Sequence, residues 1–308
     1  MWVLGLDGGG TKTEAVLCDG RDAVGRGRGG PSNPHFVPGA AAEAALAVAM
    51  EGALASTGAD PARVEWVVFG GPVSTDVLAR VAHRLLPGAA LRRCHEGDLA
   101  LAAGGVRGPG LAVVSGTGSL VMARNAGGRR AIVGGWGSVM GDEGSGGDIG
   151  RQALVAAARA ADGRGPATQL TTLICAWAGA ATLREAVAHV YGPSTARHDI
   201  AGLAALVDEA DRAGDGVASS ILDGAGSELA LQVAAALEQA GDMGQPPWPL
   251  VAVGGVLAGS RRVRQSLLAH LRSYPVGLVV PVRTMAEAAA RWPRDGLESA
   301  EPGAGATS

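Results

Sequence analysis

Aromatic side chains are scarce in this chain, at 3% of 308 residues, so Ala, Val and Leu must fill its interior. Cysteine is scarcer still. Cys18, Cys94 and Cys175 stand far apart with no CxxC pair, which signals neither a zinc site nor a disulfide framework and fits a reducing cytoplasm. Cys18 and Cys94 adjoin apolar runs and read as core or strand-end residues. No apolar stretch reaches membrane-spanning length, and the first one breaks at Asp7, before it could serve as a secretory leader. Positive charge is not in surplus: the net charge is −3, with no basic stripe for a nucleic-acid backbone and no arginine cluster for a membrane surface. What the chain does have is 47% hydrophobic residues and 50 glycines, enough for real cores and many tight turns, and its length points to two lobes.

The most informative stretch is Met1 to Gly20, which reads as strand, glycine turn, strand. Trp2 to Leu6 is apolar, Asp7-Gly8-Gly9-Gly10-Thr11-Lys12-Thr13 is the turn, and Glu14 to Cys18 is apolar again. Three consecutive glycines remove every Cβ from the tip, so backbone N–H groups can approach an anion. Asp7, a carboxylate beside a phosphate cradle, makes sense with a divalent cation between them. A Walker A loop is excluded because Thr11, not Gly, precedes Lys12. The dinucleotide fingerprint is excluded because Thr13 replaces its third glycine and a strand, not a helix, follows. A bare hairpin tip would need only about two residues.

Strands and helices alternate along the chain, which indicates an α/β protein. The spacing predicts a loop over Arg26–Pro34, an alanine-rich helix over Ala41–Ala55, a strand over Val64–Phe69, a helix over Thr75–Leu86 and a short strand over Ala90–Cys94. A helix begins at Leu99. A second strand-turn-strand module follows, Leu111–Ser115, Gly116-Thr117-Gly118-Ser119 and Leu120–Arg124, and echoes the first. Helices are expected over Ile149–Ala161, Thr168–Ala180, Leu183–His189, Ile200–Ala213 and Gly216–Ala240. A strand over Pro249–Val253, another over Leu278–Pro281 and a last helix over Met285–Trp292 complete the reading. The expected organisation is an N-terminal lobe over 1–107, a C-terminal lobe with a helical insertion over 108–284, a final helix over 285–292 packing back on the first lobe, and a disordered tail over 293–308.

Four glycine-centred turns follow apolar strands, where ligands of α/β sheets bind: Asp7 to Thr13, Gly70-Gly71, Gly116 to Ser119 and Gly254-Gly255. The third offers two hydroxyls and backbone donors as a second phosphate clamp, and Gly254-Gly255 could let a flat base and ribose lie on the backbone. The stretch from Gly134 to Gly150 is the densest. Eight of its seventeen positions are Gly, yet it holds Trp136, Asp142, Glu143 and Asp148. Glycines for backbone approach, an indole plate and carboxylates for hydroxyls describe a sugar site. Asn33, within Pro31-Ser32-Asn33-Pro34, is by default a turn residue. His95-Glu96-Gly97-Asp98 either caps a helix or supplies a carboxylate base for a substrate hydroxyl. His35 and His95 lie near these segments without metal-ligand spacing and read as structural.

Together, Asp7 to Thr13, Gly116 to Ser119, Gly134-Gly135-Trp136-Gly137 and Gly141-Asp142-Glu143-Gly144-Ser145 resemble the BadF/BadG/BcrA/BcrD ATPase family over roughly Met1 to Ala290, and within it the N-acetylglucosamine kinase-like branch of the actin/hexokinase/Hsp70 superfamily. The resemblance implies two ribonuclease-H-like, actin-like ATPase lobes around a nucleotide cleft, with ATP and Mg²⁺ as cofactors. Asp7 would organise Mg²⁺, directly or through water. Gly9, Gly10, Thr11 and Lys12 would surround the phosphates, Thr117 and Gly118 the β/γ end, and Gly254 with Gly255 the adenosine. Asn33, Gly135, Trp136 and Asp142 would contact the amino sugar, and Ala213-Gly214-Asp215 resembles a structural element of the family. The chain departs from the pattern in three places. Glu96 stands where the family has an Asp base, and a two-residue shift would put Asp98 there instead. Gly147 replaces a common aromatic, and Met285–Ala289 matches the family's ending only loosely. The resemblance implies ATP-dependent phosphorylation of N-acetylglucosamine or glucosamine at the 6-hydroxyl, by a cytoplasmic enzyme with a homodimer among its expected assemblies. The alternatives are a nucleotide-dependent sensor without turnover and a dehydratase-activator-like ATPase, for which Cys94 and Cys175 lack the expected context.

Overall fold

A computed structural model describes residues 1–292; the tail expected over 293–308 lies outside the described residues. The chain begins with β1 (Trp2–Gly8), β2 (Thr13–Cys18) and β3 (Ala23–Gly29). Then come α1 (Gly39–Ala55), β4 (Val64–Gly70), α2 (Thr75–Leu85), β5 (Ala90–Arg93) and α3 (Glu96–Ala103). It continues through β6 (Gly110–Ser115), β7 (Ser119–Arg124) and β8 (Arg130–Gly134), and then the helical run α4 (Gly146–Ala161), α5 (Leu170–Ala178), α6 (Leu183–Val190), α7 (Arg197–Arg212) and α8 (Gly216–Ala240). The remainder is β9 (Trp248–Val253), α9 (Gly255–Gly259), α10 (Arg261–His270), β10 (Val276–Val279) and α11 (Met285–Ala290). Two compact units result among the described residues, one of Met1–Arg107 with residues 280–292, the other of Gly108–Val279. The return to the first unit thus falls at Val280 rather than at Met285.

Each unit is built on a five-stranded sheet, and the two sheets share one plan. The first runs β3-β2-β1-β4-β5 and the second, in reverse, β10-β9-β6-β7-β8. In each, a three-strand antiparallel meander is extended on one side by two parallel strands. The repeat expected from the two strand-turn-strand modules is therefore a repeat of whole sheets. It fits the ribonuclease-H-like pattern implied by the sequence.

The segment expected as a loop over Arg26–Pro34 is a strand as far as Gly29. Its alternation of glycine and arginine looks like turn chemistry, but the cause is packing. A Cβ at Gly25, Gly27 or Gly29 would sit about 2 Å from the carbonyl oxygens of Ala53, Ala49 and Ala45, one helical turn apart on α1. The strand and an alanine-faced helix thus touch backbone to backbone. Below them Leu4, Leu6, Leu17, Leu46, Met50 and Phe69 form one apolar core, each fully buried and each worth roughly 1.5–3 kcal/mol relative to exposure. On the other face of the sheet, Ala288, Ala289 and Trp292 of the C-terminal segment pack with Val3, Val68 and Leu99.

Other boundaries moved by a few residues. Helix α3 starts at Glu96 rather than Leu99, because His95 caps it by accepting the Gly97 N–H on Nδ1 at 3.1 Å. Helix α4 starts at Gly146 rather than Ile149, because the Ser145 hydroxyl accepts the Asp148 N–H at 3.1 Å. The late strand is Val276–Val279 rather than Leu278–Pro281, and the last helix ends at Ala290 rather than Trp292. Strand β8 and helices α9 and α10 carry no expectation from the sequence. Cys18 and Cys94 are buried, as expected from their apolar neighbours.

Candidate active site

In the first unit the antiparallel register pairs Asp7 with Glu14 and Gly8 with Thr13, so the turn closes over Gly9 to Lys12. Gly9 N–H donates to the Lys12 carbonyl at 3.0 Å. A second segment laces to this tip: the Ser32 and Asn33 N–H groups both donate to the Gly9 carbonyl, at 3.1 and 3.2 Å. Below, the Thr13 hydroxyl bridges the Gly30 carbonyl and the Ser32 hydroxyl, each at 2.8 Å. Asn33 is thereby brought to the Gly9–Lys12 turn. Its own side-chain oxygen accepts the His35 N–H at 2.9 Å, an Asx turn that matches its default reading.

Asp7 lies at the base of this turn. Burial, helped by the negative charge of Glu14 and opposed by Lys12, pushes its carboxyl up to about 6. Glu14 in turn holds Lys12 at 3.7 Å and Arg26 at 3.7 Å. An ionised Asp7 is therefore short of positive charge, the condition that a cation would relieve. Among the described residues no group of three or more His, Cys, Asp or Glu could hold a metal. A Mg²⁺ at Asp7 would thus complete its shell with phosphate oxygens and water, as this ion commonly does. The residues fit that role.

Glu96 is the first residue of α3 and partly accessible, whereas Asp98 is 3% exposed inside the first turn. His95 is a cap, in line with its structural reading. The sequence missed Arg93, the last residue of β5. Its guanidinium reaches the Gly71 and Val73 carbonyls and the Thr75 hydroxyl, and stacks on the Phe69 ring at 5.0 Å.

The second unit gathers most of the remaining candidates into one hydrogen-bonded body. The Gly116–Ser119 turn closes through Gly116 N–H to the Gly118 carbonyl at 2.9 Å. The N-terminus of α4 abuts it: Gly146 N–H donates to the Gly116 carbonyl at 2.8 Å and Gly147 N–H to the Thr117 carbonyl at 3.2 Å. A side chain at Gly147 would begin 3.0 Å from that Thr117 oxygen, so the departure from an aromatic goes with close contact to the Gly116–Ser119 turn. The Ser115 hydroxyl donates to the Gly144 carbonyl and the Ser119 hydroxyl to the Glu143 carbonyl, each at 2.8 Å. Ser119 was read from the sequence as one of two hydroxyls of the clamp, and its hydroxyl is instead engaged by Glu143; Ser115, and Ser145 as a cap, were not singled out. The spacing Ser145-x-x-Asp148 was the available signal.

Asp142 is 5% exposed and carries a positive φ of 63°. It accepts the Ser119 N–H at 3.2 Å. Burial pushes its carboxyl up and Glu143 adds to this, while the N–H groups of Ser119 and Gly137 and the charge of Arg197 oppose it. Gly135 joins the same body through its N–H to the Ser119 carbonyl at 2.9 Å. Trp136, 70% exposed, stands on the adjoining loop with Val139 and Met140, presenting an apolar face to solvent. Gly254 opens α9 with φ 102°, and a Cβ there would lie 2.2 Å from the Ser115 carbonyl oxygen, so Gly254-Gly255 belongs to this cluster too. Asp215 is apart and structural: burial raises its carboxyl, but donors from Ala218, Thr168, Gln169 and Val217 outweigh this and hold it below its ordinary value.

Two duplicated sheets, each presenting a glycine hairpin turn, define an α/β ATPase of the actin-like kind. The chain belongs to the BadF/BadG/BcrA/BcrD ATPase family, whose profile matches residues 4–276. It is 39% identical over 144 residues to the N-acetylmuramic acid/N-acetylglucosamine kinase of Clostridium acetobutylicum, an alignment covering 47% of each chain. The chain thus spans about half the length of that curated relative. It is 28% identical over 268 residues to the N-acetyl-D-glucosamine kinase of Dictyostelium discoideum, covering 82% of this chain and 84% of the relative. A crystal structure from Chromobacterium violaceum, provisionally named an N-acetylglucosamine kinase, superposes with a TM-score of 0.75 at 28% identity, covering 94% of this chain and 97% of that one. The sensor and dehydratase-activator alternatives are not favoured by these relatives. Among the described residues no helix is long and apolar enough to cross a membrane.

Proposed function

We propose that this protein transfers the γ-phosphoryl group of ATP to the 6-hydroxyl of an amino sugar of the N-acetylglucosamine or glucosamine type. The observation that carries the reading is Asp142, whose carboxylate is seated on the Gly116–Ser119 turn by the Ser119 N–H. The loop that would read the sugar and the turn that would hold the phosphates are thereby parts of one rigid assembly. Two curated relatives carry N-acetylglucosamine kinase names, which supports the same chemistry.

The roles follow from the residues' chemistry. Gly9, Gly10, Thr11 and Lys12 present N–H groups, a hydroxyl and an ammonium to phosphate oxygens. Thr117 and Gly118 do the same from the second unit, and Gly254 with Gly255 gives room for the adenosine. Asn33, Gly135, Trp136 and Asp142 hold the sugar, with Trp136 covering an apolar ring face and Asp142 accepting from hydroxyls. Glu96 takes the proton of the 6-hydroxyl as that oxygen bonds to Pγ and the bond from Pγ to the β–γ bridging oxygen breaks, releasing ADP. Asp98 is the alternative base. A Mg²⁺ held at Asp7 supplies positive charge against the phosphate oxygens when bound. The setting is cytoplasmic, the partner is the sugar itself, and a homodimer is the assembly to test.

A coupled ADP-release assay over N-acetylglucosamine, glucosamine, N-acetylmannosamine and glucose tests the proposal. Sugar-dependent ADP release with an amino sugar preferred supports it. No release with any sugar, together with no sugar binding by calorimetry, overturns it.

A further inference from the structure

We infer that Arg93 is a positioning residue for phosphoryl transfer, one guanidinium that sets the Asp7 turn and the Glu96 helix against each other. The inference rests on the kinase reading above. Three observations carry it, all within the first unit.

First, the loop after β4 is the support of the phosphate turn. Gly71 has φ 77°, and a Cβ there would lie 2.3 Å from the Gly8 carbonyl oxygen and 3.6 Å from the Asp7 carboxylate. Val73 presses on the same residue from the other side, since a Cβ at Gly8 would lie 2.3 Å from Val73 Cγ2. Any shift of residues 71–73 is therefore passed directly to Asp7 and Gly8.

Second, Arg93 grips that loop. Its Nη1 donates to the Gly71 carbonyl at 3.4 Å, and its Nη2 donates to the Val73 carbonyl and to the Thr75 hydroxyl. The planar fork reaches three acceptors along five residues, which a lysine's single ammonium cannot reproduce. The Phe69 ring lies 5.0 Å from the guanidinium carbon and fixes the plane.

Third, the other end of Arg93 is the base helix. Cys94 N–H donates to the Phe69 carbonyl at 2.8 Å, His95 is the cap of α3, and Glu96 is its first residue. The fork therefore fixes the separation between the carboxylate that would meet the cation and the carboxylate that would take the proton. The acceptors of the Arg93 guanidinium are groups of the protein itself. Its effect falls on orientation, and a displacement of about 1 Å can cost up to about a hundredfold in rate.

The test compares Arg93→Met and Arg93→Lys with the wild type, measuring kcat and KM for both substrates, thermal midpoint, and amide exchange over 7–12 and 70–75. The inference expects Arg93→Met to lose at least about tenfold in kcat with both KM values within about threefold, and to exchange faster in both segments. Arg93→Lys should fall between, and it carries the test alone if Arg93→Met does not fold. A kcat within twofold of wild type, a kcat falling only in proportion to the folded fraction, or unchanged exchange overturns the inference. If the wild type itself releases no ADP with any amino sugar, the kinase reading fails, and the exchange measurement by itself upholds or overturns the clamp.

Discussion

Replacing Asp7 by Asn should make the nucleotide-free protein more stable while removing its activity. The Asp7 carboxyl is pushed from its ordinary 3.8 up to about 6 by burial first and by Glu14 second. A carboxyl raised in the folded state binds its proton more tightly there than in the unfolded chain. Its contribution is therefore most favourable below about pH 3.8, declines as pH rises between 3.8 and about 6, and is constant above that. The rise from 3.8 to about 6, at about 1.4 kcal/mol for each tenfold change in proton affinity, sets an upper bound of about 3 kcal/mol at neutral pH. Asp7 is not wholly removed from solvent, so about 1–3 kcal/mol is the expected range, roughly 3–9 °C in the midpoint of a unit of this size.

Scanning calorimetry in the presence of a chelator, from pH 4.5 to 8, reads this directly. Asp7→Asn should melt above the wild type at pH 7.5, and the gap should narrow towards pH 4.5 as the wild-type carboxyl takes up its proton. Adding Mg²⁺ and a non-hydrolysable ATP analogue should raise the wild type more than the variant, because only the wild type offers a charge for the ion to meet. Stability would be traded for function at this one residue. An Asp7→Asn protein no more stable than wild type at pH 7.5, or a gap that does not change with pH, refutes the reasoning.

Glu96→Gln should lower kcat on the order of a hundredfold or more in the coupled assay, while Asp98→Asn acts mainly on the thermal midpoint; the opposite pattern assigns the base to Asp98. Asp215→Asn should destabilise the second unit by about 1–3 kcal/mol in urea titration and leave ADP release per folded molecule unchanged. Because the Asp215 carboxyl is held below 3.8, its stabilisation is present above that pH and is lost as pH falls through its lower folded value, so the deficit of the variant should shrink in acid. Gly254→Ala puts a methyl 2.2 Å from the Ser115 carbonyl at a φ of 102°, and should lower the midpoint of the second unit by several degrees and raise the KM for ATP.

What the sequence made legible was mostly what glycine and periodicity encode locally. The hairpin turns at Asp7–Thr13 and Gly116–Ser119, and the long helix Gly216–Ala240, stand where their residues put them. Strand β3 was illegible because its glycines answer to α1, a partner more than ten residues further on, and not to their own neighbours. The start of α3 was half legible: His95-Glu96-Gly97-Asp98 reads as a helix cap, but a histidine is an uncommon cap, and its Nδ1 declares that role only once Gly97 is in place. Helix α10 buries only Val263, Ser266 and Leu267 on one face, too thin an apolar stripe to stand out among four arginine- and glutamine-rich positions. Arg93 was invisible for the same reason as β3: its three acceptors lie on a loop 18 to 22 residues earlier in the chain.

The shared plan of the two sheets extends to their turns. In the first unit the parallel neighbour β4 is followed by Gly71, whose backbone lies against the carbonyl of Gly8 at the base of the hairpin. In the second the parallel neighbour β9 is followed by Gly254, whose backbone lies against the carbonyl of Ser115 at the base of the corresponding hairpin. Both glycines have φ between 77° and 102°, where a side chain would be strained even if there were room. One steric device is thus used twice, and what differs is the chemistry mounted on it. The first hairpin carries Asp7, Lys12 and Glu14, two carboxylates to one ammonium. The second carries Thr117, Ser119 and backbone amides, with Asp142 held against it by the Ser119 N–H. Duplicated geometry with divergent side chains thus gives the two turns different chemistry, a carboxylate pair beside a lysine on the first and hydroxyls and backbone amides on the second.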